Sequence, residues 1–192
     1  MGQNYLSNAG IFLVDTVLGM YLLVVIFRFL LQLFRADFYN PLSQFVVTVT
    51  NPPLRPLRRF IPGFLGIDIS AVVLALSIAM IKLYLVAALQ GIYLGISPLL
   101  IISIAEILKT TVYIFVFVTF IRAILSWFQG GGYNPLTRLL DSLSEPLLEP
   151  IRRALPSVGG LDFSPMVLLI LLMLFLKLIV APIADTGYML LL

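Results

Sequence analysis

The sequence predicts an all-α membrane protein with four transmembrane helices from a tandem two-helix repeat and a short amphipathic interfacial helix in each repeat. Three observations support this prediction. Of the 192 residues, 61% are hydrophobic and 11% are charged, whereas soluble domains carry about 25% charged residues. Four apolar stretches approach the ~20 residues with which a helix crosses ~30 Å of hydrocarbon. The chain also matches itself at an offset of 94 residues.

The internal match divides the chain into two units, residues 1–97 and 98–192. It needs no gap across residues 28–70 and their counterparts, and the motif Tyr-Asn-Pro-Leu at 39–42 returns at 133–136. The identical positions are mostly Pro, Gly and charged residues, which interchange less freely than aliphatic residues. We therefore interpret the chain as a tandem duplication.

The predicted spans cover residues 9–34, 69–89, 103–128 and 163–184. The start of the third span is left open, because Ser97 followed by Pro98 is a typical helix start. Residues 95–109 therefore either belong to the third span or form a separate segment. By the repeat offset, the first helix can also begin early, near Asn4.

A segment with helical periodicity lies between the two spans of each unit. Asn40 with Pro41, and Asn134 with Pro135, place an N-cap residue before a proline at the first helical position. Apolar residues then follow at i, i+3, i+4 and i+7: Leu42, Phe45, Val46 and Val49 in one unit, Leu136, Leu139, Leu140 and Leu143 in the other. We expect an amphipathic helix of about three turns at the headgroup level. It should end at Pro52-Pro53 in the first unit and at Pro146 in the second.

The cations outside the spans are concentrated on one side. Residues 35–66 and 129–162 contain seven arginines, whereas residues 1–8, 90–97 and 185–192 contain no Lys or Arg. The positive-inside rule places both basic segments in the cytoplasm. We therefore expect both termini outside, and repeats related by an axis along the membrane normal.

The composition limits the chemistry. The sequence contains no His and no Cys, which argues against thiolate nucleophiles, Ser-His-Asp triads and the usual metal centres. A net charge of +3 is small for a protein that gains affinity by neutralising nucleic-acid phosphates. We expect no enzymatic activity, no cofactor or metal, and no nucleic-acid partner.

Two arginine pairs occupy matching positions in the basic segments, Arg58 with Arg59 and Arg152 with Arg153. Arginine suits anionic lipid headgroups and acidic protein surfaces. These four residues are therefore candidates for lipid or partner contact. The alternative is that they serve only as topology signals beside a proline-stiffened linker.

Arg28 and Arg122 lie about six residues, or ~9 Å, from the inner ends of their spans. Each either extends to the headgroups or pairs with an aspartate at the start of the following span, Asp68 or Asp162. We favour a structural Arg–Asp clamp over a transport role, formed within one repeat or between the two.

Five further charges lie in or near the spans: Asp15, Lys82, Glu106, Lys109 and Lys177. At the repeat offset Asp15 matches Lys109, so equivalent positions carry opposite charges. We expect interhelical pairing, with Asp15 neutralising Lys109 if the first and third spans meet. Since charges inside a bilayer often mark functional sites, a polar pathway is the alternative.

The doubled motif resembles the YggT family of small bacterial inner-membrane proteins. The resemblance rests on Arg-x10-Tyr-Asn-Pro-Leu, then Pro-x-Leu-x-Pro-[Leu/Ile]-Arg-Arg-x-[Ile/Leu]-Pro, then Gly-x-Asp-x-Ser, and it covers nearly the whole chain. It implies a multi-pass protein linked to osmotic or extracytoplasmic stress, ion homeostasis, cell division or envelope organisation. Chloroplast relatives imply a link to cytochrome b6 haem attachment and nucleoid distribution. One internal departure is that Arg55 becomes Glu149 in the second unit.

Two functional hypotheses follow. The first is a non-enzymatic organiser or assembly factor that uses its basic segments on the lipid bilayer and on membrane-protein partners. The second is a small ion or solute conduit for osmotic balance, as a homo-oligomer because four helices enclose little pore.

Overall fold

A computed structural model describes residues 5–64, 66–128, 134–155 and 162–191. Its elements are helices: α1 (Tyr5–Leu33), α2 (Pro41–Phe60), α3 (Ile69–Gln90), α4 (Ile96–Phe128), α5 (Pro135–Ala154), α6 (Ser164–Phe175) and α7 (Ala181–Met189). A π-helical turn, Leu176–Val180, joins α6 to α7.

The prediction of four spans is confirmed. α1, α3, α4 and the continuous α6–α7 segment are each long and apolar enough to cross a membrane. The third span begins early, because α4 runs without interruption from Ile96, so residues 96–109 belong to it and Gly95 precedes it. Its 33 residues correspond to ~50 Å of helix at 1.5 Å per residue, which exceeds the hydrocarbon thickness.

Two hydrogen bonds define the ends of the helix bundle. Ser7 Oγ donates to the Leu89 carbonyl at 2.9 Å, which joins the start of α1 to the end of α3. Asn40 Nδ2 donates to the Pro135 carbonyl at 2.7 Å, which joins the starts of α2 and α5. Since α2 and α5 each connect the end of one span to the start of the next, both lie at the same end of the bundle. We call this end the basic face.

Each connecting helix begins at its asparagine. Asn40 Oδ1 accepts a hydrogen bond from the Leu42 amide at 2.9 Å, and Asn134 Oδ1 accepts one from Leu136 at the same distance. The proline that follows each asparagine is the first residue of the helix. This arrangement satisfies an amide that has no partner inside the helix.

The predicted ends of the connecting helices are wrong. α2 continues through Pro52 and Pro53 to Phe60, and α5 continues through Pro146 to Ala154. A proline within a helix removes one backbone hydrogen bond and crowds the preceding turn. Two turns of packing outweigh that cost, since Leu54 in α2 and its counterpart Leu148 in α5 are fully buried. Tertiary burial has overridden local propensity.

The end of α1 has an unusual residue. Arg35 adopts a left-handed conformation with φ of 52°. The Ala36 amide donates to the Leu31 carbonyl at 2.9 Å and the Arg35 amide to the Gln32 carbonyl at 3.2 Å, which is the Schellman arrangement that glycine usually completes. For any other residue the left-handed region costs about 1–2 kcal/mol.

The fourth span changes its hydrogen bonding at the π-helical turn. Pro182 has no amide hydrogen, so the α-helical bond to Leu178 cannot form there. The Ala181 amide instead donates to Leu176, five residues earlier. Single π turns of this kind relieve local strain and often occur near functional sites.

The fourth span packs closely on α4 at Gly187. A Cβ atom at this position would lie 2.6 Å from Ile102 Cγ1. At Gly19 in α1, by contrast, an added Cβ would meet nothing within 4 Å. The small residue at 187 therefore sets the distance between α7 and α4.

We predict that Gly187→Val lowers the stability of the purified protein by about 1–3 kcal/mol, the usual cost of overpacking. Gly19→Val is the matched control and should change the unfolding midpoint in detergent much less. Equal midpoints for the two variants would contradict the close α4–α7 contact.

Candidate functional site

Four charged side chains meet where α1, α3 and α4 lie side by side. Lys82 of α3 is buried, with its Nζ 2.6 Å from Glu106 Oε1 of α4 and 3.2 Å from Asp15 Oδ1 of α1. The other carboxylate oxygen of Glu106 lies 3.6 Å from Lys109 Nζ. We call Asp15, Lys82, Glu106 and Lys109 the intramembrane network; its formal charges sum to zero.

The network lies well inside the spans. Asp15 and Glu106 are each ten residues from the start of their helices, which corresponds to ~15 Å at 1.5 Å per residue. Charges at this depth are costly unless they are paired. The network therefore ties α1, α3 and α4 together at three helix surfaces.

The expected interhelical pairing is present, but one predicted partner is wrong. Asp15 contacts Lys82 rather than Lys109. The reason is that α1 packs chiefly along α3, so the nearest lysine to the Asp15 carboxylate is Lys82 of α3. Lys109 contacts Glu106 one helical turn away on α4.

A cavity of about 230 Å³ adjoins the network between α4 and the fourth span. Glu106, Lys109 and Tyr113 line it from α4, and Val180 and Tyr188 line it from the π-helical turn and α7. The carboxylate-bearing residue Glu106 therefore lies beside a space between the helices.

A second group of charges lies at the basic face, and its pairs differ from the predicted clamp. Arg58 Nη2 contacts Asp68 Oδ2 at 2.5 Å, and Arg152 Nε contacts Asp162 Oδ2 at 2.7 Å. These two pairs are equivalent at the 94-residue offset. The predicted Arg28–Asp68 and Arg122–Asp162 pairs are therefore not the pairs that form.

The extension of α2 and α5 past their prolines explains this difference. It carries Arg58 and Arg152 close to the start of the next span. There the Asp68 carboxylate also accepts a hydrogen bond from the Ala71 amide at 3.3 Å, and Asp162 accepts one from the Ser164 amide at 2.9 Å. A carboxylate is favoured at this end of a helix by the helix dipole.

The two deeper arginines have different partners in the two repeats. Arg28 Nη1 donates to the Val47 carbonyl at 2.9 Å and to Thr50 Oγ1 at 2.7 Å, both on α2. Arg122 instead contacts two carboxylates of α5, Asp141 and Glu145, at 2.5 Å each.

The second repeat thus contains a continuous chain of alternating charges. Glu145 bridges Arg122 and Arg152, and Arg152 continues to Asp162. Alternating signs of this kind neutralise each charge by its neighbours, which an isolated surface pair does less well.

The protonation of the outer pair follows from its contacts. Burial alone would raise the pKa of Asp162, but hydrogen bonds from Ser164 and Arg152 lower it below its ordinary value. Burial alone would lower the pKa of Arg152, but the Asp162 hydrogen bond and the Glu145 charge raise it. Both groups therefore remain ionised at neutral pH.

The other two arginines of the predicted contact set point outward. Arg153 is exposed and contacts Glu149 one helical turn away. Arg59 is exposed and has no ion-pair partner within the described residues. Of the four candidates for lipid or partner contact, Arg59 and Arg153 are therefore on the surface, whereas Arg58 and Arg152 hold carboxylates.

Sequence analysis missed the roles of Thr50, Asp141 and Glu145. The four-residue spacing of Asp141 and Glu145 places both carboxylates on one side of α5, and this was a usable signal. Thr50 gave no such signal, because a hydroxyl in a polar stretch is equally suited to solvent.

Comparison with known proteins gives a consistent result. The CCB3/YggT family profile matches residues 7–89 and 101–183, two segments separated by the offset of the sequence repeat. The chain is similar to the uncharacterized protein PA0392 of Pseudomonas aeruginosa, with 48% identity over 162 residues, which cover 83% of this chain and 82% of that protein. It is also similar to the uncharacterized protein YggT of Escherichia coli K12, with 41% identity and 96% of each chain covered. No solved structure matches the chain.

We predict that Lys82→Met destabilises the protein by about 3 kcal/mol, because it leaves Asp15 and Glu106 facing each other without their shared cation. Lys177→Met is the matched control. Lys177 is exposed on the fourth span and has no ion-pair partner within the described part of the chain, so its loss should be neutral or stabilising. Unfolding midpoints in neutral detergent measure both, and a Lys82→Met midpoint at or above that of Lys177→Met would contradict the network.

Proposed function

This chain belongs to the CCB3/YggT family, and we propose that it acts as a non-enzymatic organiser or assembly factor for the cell envelope, division or the stress response. The proposal includes residence in the bacterial inner membrane, with the basic face in the cytoplasm and both termini outside. The arginine asymmetry between the two sets of loops supports this orientation.

The observation that carries the proposal is the exposed surface formed by α2 and α5. Their buried sides pack on the spans through Val46, Leu54 and Leu143. Their outer sides remain uncovered: Phe60 is 83% exposed and Phe45 is 60% exposed.

Exposed aromatic rings beside arginines suit contact with another protein. Aromatic residues and Arg are the types most enriched in the energetically important parts of interfaces. Phe60 follows Arg59 directly in α2, and Arg153 lies at the equivalent end of α5. We propose that these side chains dock membrane-protein partners and contact anionic lipid headgroups.

A non-enzymatic role is supported by the sequence itself. With no His or Cys anywhere in the 192 residues, nucleophilic or metal-assisted catalysis would need an unusual set of groups. The charges of the intramembrane network form ion pairs with each other, and the paired charges of the basic face form a separate set of ion pairs. Both sets stabilise contacts between helices.

The intramembrane network favours a second candidate, an oligomeric ion or solute conduit. Asp15 and Lys109 have side chains 64% and 50% exposed at a depth where a single chain would present them to lipid. Association of several chains would cover them, and the cavity beside Glu106 would then line a polar route.

Two experiments on the full chain separate these functions. For the organiser, a photo-crosslinking amino acid replaces Phe60 in cells, and the control replaces Ile170, an exposed residue of α6. We expect a discrete adduct with a membrane protein from position 60 and none from position 170. For the conduit, potassium and chloride fluxes are measured in proteoliposomes, with Lys82→Met as the matched variant.

The outcomes distinguish the two candidates. Adducts specific to position 60, with fluxes equal to those of empty vesicles, support the organiser. A flux above that of empty vesicles that Lys82→Met alters, with no specific adduct from position 60, would overturn the organiser in favour of the conduit.

A further inference from the structure

We infer that the first repeat contains a binding site for a phosphate-type oxyanion. The site is a cavity of about 390 Å³ at the basic face, between the end of α1 and one side of α2. Three arginines line it, Arg28, Arg35 and Arg58, together with Gln32 and Ser43.

The charges around this cavity do not balance. Arg58 is matched by Asp68. Arg28 is buried, and its guanidinium group donates hydrogen bonds to two neutral groups, the Val47 carbonyl and the Thr50 hydroxyl. Arg35 has no ion-pair partner within the described residues. Three guanidinium groups therefore face the cavity with one carboxylate between them.

The second repeat shows what this imbalance means. Arg122, the counterpart of Arg28, is held by Asp141 and Glu145. At the 94-residue offset, the positions of those two carboxylates are occupied by Val47 and Asn51 in the first repeat. The arginine is thus present in both repeats, whereas the two carboxylates that contact it in the second repeat have no counterpart in the first.

A buried hydroxyl points to the same ligand. Ser43 lines the cavity and is 3% exposed, yet its Oγ has no hydrogen-bond partner within the described residues. A buried polar group without a partner is costly. An oxyanion in the cavity would accept from this hydroxyl as well as from the guanidinium groups.

The geometry favours phosphate over a carboxylate ligand. Arginine forks, a hydroxyl and an amide supply donors from several directions, which suits a tetrahedral group with several acceptor oxygens. The cavity is larger than phosphate alone and Phe38 lines it beside the arginines, so a phosphodiester with an apolar extension also fits. The headgroup of an anionic phospholipid and free inorganic phosphate share this chemistry.

The inference rests on the proposed function in one respect, which is that a lipid headgroup is one source of the phosphate. The residues that line the cavity are not those of the exposed docking surface. A failure to detect the adduct from position 60 would leave the inference about the cavity unaffected. Failure at the cavity would likewise leave the docking surface intact.

The test uses the full chain in neutral detergent, with the unfolding midpoint measured against rising ligand at constant ionic strength. The three ligands are short-chain phosphatidylglycerol, phosphatidylcholine of the same chain length, and inorganic phosphate. The variants are Arg35→Gln and Ser43→Ala, which should fold because neither removes a side-chain hydrogen bond or ion pair within the described structure. Arg55→Gln is the matched control, because Arg55 is an exposed arginine of α2 that lies outside both the cavity and the proposed docking surface.

We expect saturable stabilisation by phosphatidylglycerol, with affinity about tenfold weaker in Arg35→Gln and about threefold weaker in Ser43→Ala. Arg55→Gln should bind like the unmodified chain. Saturable stabilisation by inorganic phosphate with the same dependence on the variants would identify a site open to the free ion, and its absence would identify the lipid as the source. Equal stabilisation by the two lipids, or equal affinity of Arg35→Gln and Arg55→Gln, would overturn the inference.

Discussion

Pairing of the charges in and beside the bilayer is the constraint on which the rest of this structure depends. A cation in or beside the hydrocarbon region is costly unless an anion or a set of dipoles lies against it, or its side chain reaches the headgroups. The intramembrane network meets this requirement across α1, α3 and α4 with two lysines and two carboxylates. At the basic face, Arg58 and Arg152 meet it by holding the aspartates that begin the following spans.

Because the chain is duplicated, each repeat must pair the charges at its basic face, and the two repeats do so with different groups. The backbone positions of the arginines and aspartates are preserved between the repeats, whereas the groups between them have changed. In the second repeat Asp141 and Glu145 make the charge chain complete. In the first repeat a valine and an asparagine stand at those places, and Arg28 relies on a carbonyl and a hydroxyl of α2. The two halves of the protein therefore share a fold and differ in the groups that contact their inner arginines.

Much of the fold could be predicted from the sequence, because hydrophobic length and an internal repeat are strong signals. The four spans and the tandem repeat follow from them directly. The ends of the connecting helices could not be predicted, since Pro52 and Pro146 are local signals for termination and only the burial of Leu54 and Leu148 overrides them. The arginine partners depend on those same ends: if α2 stopped at Pro52, Arg58 would not reach Asp68. Because the predicted end of α2 at Pro52 was wrong, the predicted pairing of Arg28 with Asp68 was wrong as well.

Arg28 lacks the carboxylate contacts that Arg122 has within its own repeat. The most direct test grafts the second repeat's carboxylates into the first with Val47→Asp and Asn51→Glu, and measures the unfolding midpoint in neutral detergent without added anion. If the claim is right, the graft raises the midpoint by about 2–4 °C for each kcal/mol gained, because Arg28 acquires an internal partner. A midpoint that stays the same or falls would contradict it.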